Sequence, residues 1–321
     1  MENKFRILSL DGGGLRGLTQ LLILRRIEEL TGKKIYELFD LIVGTSTGGI
    51  LACGLTAAKN ERPVLTIDKL IDLYYKDGCK IFPTQNTILK KTWRRVKLFG
   101  GSKWDRSGLE GQVKQYFGDI RLSETLKPII VTSYDVENNE IIMFKSRRCG
   151  EWNYDLPLTD VSLATSAAPS YFEPYQLNWL GVDRVLIDGG VYINNPSMAA
   201  VAEVLRYKYG RQDIKIEDIE LLSLGTGIYS EKIKEDSANW GLIKWAKNIT
   251  RVMMQSTSKS VEYECEQMPF HKYLRLQFTI EEKEYMEMDD SRKKTLDELV
   301  NYVNNQILNK RLDEIIEFFN I

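Results

Sequence analysis

Gly44-Thr45-Ser46-Thr47-Gly48 has the GxSxG pattern, which presents a serine hydroxyl as a nucleophile when it lies on a sharp turn between a strand and a helix. Flanking glycines remove the Cβ atoms that would crowd such a turn, and the departing helix points its positive end at the reacting centre. A structural β–α turn can carry the same residues, so the neighbouring sequence has to decide. Gly12-Gly13-Gly14 is a second candidate. Consecutive glycines between a strand and a helix leave backbone N–H groups unobstructed, which is how an oxyanion or a phosphate is held. The third is Asp188-Gly189-Gly190, directly after the apolar Val185-Leu186-Ile187. This places a carboxylate at a strand end, although Asp-Gly is also ordinary turn chemistry.

The elements around these residues supply the context. Phe5 to Leu10 reads as a short strand, and after the glycines Leu18, Leu21, Leu22, Leu24, Ile27 and Leu30 recur at helical spacing as far as Gly32, a C-terminal stop. Leu41-Ile42-Val43 is a second buried strand, and Ile50 to Ala58 a helix of small and apolar residues. Two successive strand-turn-helix units imply an α/β fold with neighbouring parallel strands. Further strands are expected at Ile129 to Tyr134, Ile141 to Phe144, Val185 to Ile187, Leu221 to Leu224 and Leu274 to Phe278. Helices are expected at Asp68 to Lys76, at Gly108 to Phe117 behind a Ser107/Glu110 capping box, at Asp160 to Ala167, and at Ser197 to Tyr209 after Pro196. Beyond Gly227 the sequence turns mainly helical and charged, ending in an amphipathic stretch from Thr295 to Phe319. With no internal repeat or linker, residues 1–321 read as a single domain: a motif-bearing core over 5–227 and a helical C-terminal elaboration over 228–321.

Two rival chemistries can be weighed on the same residues. Gly12, Gly14 and Gly17 fit the GxGxxG dinucleotide fingerprint, but that reading needs an acidic residue ending the second strand, where Gly44-Thr45-Ser46 stands instead. A non-enzymatic module that binds a nucleotide or phosphate stays open as an alternative. A Ser46, Asp188, His271 triad would follow the chain order of α/β-hydrolases. In that fold, however, the nucleophile comes later than the second strand, and His271 leads into a strand-like run.

Composition narrows the field further. With one histidine among 321 residues, sites built on two imidazoles are excluded by count. No metal or cofactor is expected. Hydrophobic residues make up 43% and charged residues 28%, so the chain should fold as an ordinary globular protein. A formal charge of -1 gives no global attraction to nucleic acid. Cys53, Cys79, Cys149 and Cys265 are widely spaced, and the N-terminal residues lack an apolar stretch. These features lead us to expect a cytoplasmic protein with reduced thiols.

Taken together and in order, Ile7-Leu8-Ser9-Leu10-Asp11-Gly12-Gly13-Gly14-Leu15-Arg16-Gly17, Gly44-Thr45-Ser46-Thr47-Gly48-Gly49, Ala164-Thr165-Ser166-Ala167-Ala168-Pro169-Ser170-Tyr171-Phe172, Asp188-Gly189-Gly190, Asn194-Asn195-Pro196 and Ser223-Leu224-Gly225-Thr226-Gly227 resemble the patatin-like phospholipases. The resemblance spans roughly residues 5 to 227. It implies a three-layer α/β/α fold with a mainly parallel central sheet, and a cofactor-free lipid acyl hydrolase that releases fatty acids through a Ser-Asp dyad. Carried over by motif, Ser46 is the nucleophile and Asp188 the proton acceptor. Gly12, Gly13, Gly14 and Arg16 form the oxyanion hole, and Asp11, Gly17, Gly44, Gly48, Gly189 and Gly190 support the motifs. A free aspartate, with a pKa of about 3.9, is a weak base. Asp188 is therefore expected in a dry setting that raises its basicity, with His271 dispensable.

The implied partner is a phospholipid or another acyl lipid. No stretch approaches the roughly 20 apolar residues of a membrane span, so contact with the inner membrane face would be peripheral. Lys90, Lys91, Arg94 and Arg95 around Trp93 form a basic cluster suited to it. A second apolar stripe, Leu242, Trp245, Ala246, Ile249, Val252 and Met253, is expected to pack on its own domain.

Overall fold

The structure, a computed structural model, describes residues 4–83, 101–229 and 241–321. The basic cluster at Lys90, Lys91, Arg94 and Arg95 lies outside the described residues.

Eight strands make the central sheet: β1 (Phe5–Leu10), β2 (Leu41–Thr45), β3 (Ile129–Asp135), β4 (Glu140–Lys145), β5 (Tyr175–Trp179), β6 (Val182–Asp188), β7 (Ile219–Leu224) and β8 (Lys272–Leu276). Their order is β8-β7-β1-β2-β3-β6-β5, with β4 also paired to β3. The run from β8 to β3 is parallel, and β4, β5 and β6 pair antiparallel. β1 and β2 are near-continuous apolar runs because both sheet faces are covered, which is the condition parallel sheets require. Leu8, Leu10 and Ile42 face one core, while Phe5, Ile7, Leu41 and Val43 face the other. The fold is the expected α/β/α sandwich.

The helices that matter for the site are α1 (Gly17–Thr31), α2 (Thr47–Thr56), α3 (Ile67–Tyr75), α4 (Ser107–Phe117), α5 (Leu158–Thr165), α6 (Ser197–Tyr207), α7 (Leu242–Glu266), α8 (Lys293–Val303) and α9 (Leu312–Phe319). Gly32 ends α1 in the left-handed region at φ 65°, as its position suggested. The capping box expected for α4 does not form. Glu110 is taken instead by the Arg106 guanidinium at 2.8 Å, and the Ser107 amide donates to Asp105 Oδ1 at 2.7 Å. β5 was not anticipated: its residues alternate half-buried and exposed along a hairpin with β6, which leaves only a weak apolar signal.

The C-terminal third is more than helices. β8 joins the sheet in parallel with β7, and α9 packs its aromatic end near β1, where Phe39 and Phe319 meet edge to face at 5.9 Å. On α7 the outcome differs from the expected packing. Trp245, Ile249 and Met253 are each about two-fifths exposed, whereas Met254 and Ser258, on another face of that helix, line the interior cavity. No helix among the described residues is long and apolar enough to cross a membrane.

Candidate active site

Ser46 sits between β2 and α2 with φ 56° and ψ −122°, a backbone conformation that L-residues rarely adopt. The turn is this tight because its flanking backbones nearly touch. A Cβ at Gly44 would lie 2.1 Å from Gly48 O, and one at Gly48 2.2 Å from Leu10 O. Both glycines of GxSxG are therefore steric requirements. The Ser46 amide donates to Thr165 Oγ1 at 2.9 Å, and that hydroxyl donates in turn to Thr132 O at 2.7 Å. In this way α5 and β3 brace the turn.

Asp188 ends β6 level with Ser133 of β3 and is 4% exposed. Its Oδ1 accepts the Gly190 amide at 2.7 Å, and the Ser46 side chain lies beside the carboxylate. Burial pushes the Asp188 carboxyl up to about 6, against the opposing pull of Ser46 and the Gly190 amide. Ser46 and Asp188, far apart in sequence, are thus neighbours in a dry setting. Gly189 packs on Thr132, and Gly17 against Thr47 at the start of α1.

The glycine loop is held at almost every backbone group. Asp11 N donates to Leu224 O at 3.0 Å, Gly12 N to Asn194 O at 3.1 Å, Leu15 N to Met288 O at 2.8 Å and Arg16 N to Gly13 O at 3.2 Å. The Gly12 amide is therefore already committed. Gly13 and Gly14 keep theirs unbonded among the described residues. Gly14 has φ 58°, and a Cβ there would lie 2.4 Å from Met288 O. Thr226 Oγ1 donates to Gly12 O at 2.9 Å, which gives the Ser223-Leu224-Gly225-Thr226-Gly227 motif a structural role. Arg16 lines the same cavity, half-buried, with Nη1 3.4 Å from Met286 O. Burial lowers its pKa to about 10, against the influence of Tyr171 and Glu287.

One residue that sequence reasoning missed anchors this loop. Arg275 of β8 grips Asp11 with both Nη atoms, at 2.9 and 2.6 Å, and also donates to Ser223 Oγ at 2.9 Å. Side-chain exposures of 6% and 2% make this a buried, bidentate pair. Burial opposes the Arg275 charge, but Asp11, with Glu262 and Tyr273, holds its pKa above the usual value, while burial raises the Asp11 carboxyl against the pull of Arg275. A charged residue inside the apolar run Leu274-Arg275-Leu276 was the available signal, because a buried charge requires a partner.

Ser46, Asp188, Gly13, Gly14 and Arg16 all line one cavity of about 470 Å³, within the size range of small-molecule sites. One wall is apolar, built from Ile50, Leu73, Ile81, Phe82, Leu109 and Val113. Gln255, Ser258 and Gln277 also line it. Among the described residues, no group of three or more His, Cys, Asp or Glu side chains could hold a metal ion.

His271 stands apart from this cavity. It precedes the rung pairing Lys272 with Glu220, whereas the site lies beyond the rung pairing Leu276 with Leu224, roughly 13 Å along the strands. Its Nε2 is 3.9 Å from Glu220, a carboxylate already held by Arg6 at 2.7 Å. His271→Ala is expected to keep wild-type ester hydrolysis in a p-nitrophenyl ester assay; a large loss of kcat would restore the triad.

Residues 8–201 match the family model described as patatin-like phospholipase. Patatin-like protein 2 of Arabidopsis thaliana is 32% identical, over 81% of this chain and 71% of that protein. The patatin-like protein 2 of Oryza sativa subsp. indica is 29% identical over 96% of this chain and 85% of its own length. A cGAMP-activated phospholipase of Vibrio cholerae serotype O1 is 34% identical over 70% of this chain and 65% of that protein. The matched segment carries the serine turn, the glycine loop and the Asp188 turn on the fold described above, and the chain belongs to the patatin-like phospholipase family.

Proposed function

We propose that this protein is a lipid acyl hydrolase that cleaves carboxylic esters of phospholipids or related acyl lipids through a Ser46-Asp188 dyad. The observation that carries this reading is Ser46 beside a buried carboxylate whose pKa is raised to about 6, both facing one cavity. An aspartate with that pKa is mostly ionised at neutral pH yet basic enough to accept a serine proton. Ser46 Oγ attacks the ester carbonyl carbon while Asp188 takes its proton. The amides of Gly13 and Gly14 stabilise the oxyanion. Gly12 serves the loop's shape, since its own amide is bonded to Asn194. Each oxyanion donor contributes about 3–4 kcal/mol, which helps offset the absence of an imidazole, and the Arg16 charge adds to the field. Collapse breaks the C–O bond to the leaving alcohol, which takes the proton from Asp188. The acyl group stays on Ser46 until water removes it.

The apolar wall from Ile50 to Val113 supports an acyl chain as the group held beside Ser46. We read the chain as one domain, because β8 and its Arg275 complete both the sheet and the glycine loop. The test is lipid mass spectrometry after incubation with mixed phospholipids. Wild type is expected to release free fatty acid and Ser46→Ala none; equal release by the two would reject Ser46 as nucleophile.

A further inference from the structure

Asn194 has a buried side-chain amide that the mechanism above does not use. Its backbone carbonyl holds the Gly12 amide, while its side chain, 7% exposed, reaches into the cavity. Nδ2 donates to Ser258 Oγ at 3.0 Å. Oδ1 then turns toward the serine and aspartate, where it accepts no hydrogen bond from the described protein.

Its position can be fixed from the neighbouring glycines. A Cβ built on Gly12 would stand 2.6 Å from Asn194 Oδ1 and 3.2 Å from Ser46 Cβ. One built on Gly190 would stand 3.5 Å from Asn194 Oδ1 and 3.1 Å from Asp188 Oδ1. The amide oxygen therefore lies within about 6 Å of Ser46 Cβ and about 7 Å of Asp188 Oδ1, close enough for one water to span the gap.

We propose that Asn194 Oδ1 orients the water that hydrolyses the acyl-enzyme, an inference that rests on Ser46 forming such an intermediate. The two half-reactions make different demands. The leaving alcohol needs a proton donor, and an amide oxygen offers it nothing. The incoming water has two hydrogens: Asp188 accepts one, and the other needs a second acceptor if a lone pair is to face the acyl carbon. Asn194 Oδ1 is that acceptor. Water oxygen bonds to the acyl carbon as one proton passes to Asp188, while the other O–H keeps donating to Asn194. Collapse breaks the bond to Ser46 Oγ, returns the proton from Asp188 to the serine, and releases the fatty acid.

The experiment is stopped-flow hydrolysis of a p-nitrophenyl acyl ester, with intact-protein mass spectrometry on the same samples. Asn194→Leu keeps the backbone carbonyl and much of the side-chain volume but removes the acceptor. The burst rate is expected to stay at the wild-type value while steady-state turnover falls roughly tenfold, the scale of one hydrogen bond. An acyl adduct should then accumulate on Ser46, and added hydroxylamine, which supplies its own nucleophile, should restore turnover. Ser258→Ala, which frees Nδ2 and lets the amide rotate, should shift the same ratio in the same direction and serves if Asn194→Leu does not fold. Burst and steady-state rates that fall together without an adduct, or neither changing, would overturn the role of Asn194 alone. Undiminished turnover by Ser46→Ala would overturn the acyl-enzyme reading, and this inference with it.

Discussion

Asp188→Asn is expected to abolish ester hydrolysis and, at the same time, to make the folded protein more stable at pH 8. The loss of a general base lowers kcat by about 10²- to 10⁴-fold. The gain in stability follows from the raised pKa. The carboxyl titrates near 6 when folded and near 3.9 when unfolded, so the folded state binds the proton more tightly. Folding stability from this group is therefore full below about pH 4 and is lost as pH rises through about 6, a penalty of about 3 kcal/mol at pH 8. Asparagine keeps an oxygen for the Gly190 amide but carries no charge to desolvate. Denaturant unfolding of wild type and Asp188→Asn should show a gap at pH 8 that closes by about pH 4. The same titration sets the activity profile: kcat/KM of wild type should fall on the acid side with an apparent pKa near 6, because only the carboxylate accepts the serine proton. A limb near 4 would mean that Asp188 is solvated in the working enzyme.

Arg275→Met is expected to cost about 3–5 kcal/mol of folding stability, the usual result of stranding one member of a buried ion pair. Asp11, 1% exposed beside the glycine loop, would be left without its partner, and burial would favour its protonated form. Because the donors at Gly13 and Gly14 act mainly on charge that develops in the transition state, the catalytic loss should appear in kcat more than in KM. Adding Asp11→Asn to the Arg275→Met variant removes the stranded carboxyl. Most of the stability should then return, while kcat stays low because the loop has lost its clamp. Urea denaturation together with steady-state kinetics on the four proteins of this cycle checks both parts. If Arg275→Met retained wild-type stability, the buried pair would have no structural weight.

Much of the fold was legible because its signals are local. Phe5–Leu10, Leu41–Thr45 and Ile219–Leu224 are short apolar runs bounded by turn residues, and each forms a parallel strand close to where the pattern placed it. The edge was harder to read. Tyr175–Trp179 shows little hydrophobic contrast because one of its faces is open. The capping box at Ser107 and Glu110 had the right spacing, but a nearby arginine competed for the glutamate. On α7 the apolar spacing was real, yet Trp245, Ile249 and Met253 remain exposed, since periodicity does not reveal whether another element covers a face.

By itself the sequence determined the chemical types at the site and the turns that present them. Glycine spacing at Gly44 and Gly48 is a constraint on backbone approach that acts within a few residues, so it is written locally. Only the tertiary structure decided which groups meet. It set Ser46 beside Asp188 and engaged the Gly12 amide with Asn194. It also brought Arg275 to Asp11 across 264 residues. Contacts of that length depend on strand order and on burial, which no local pattern encodes, and the raised pKa of Asp188 is a consequence of the same burial.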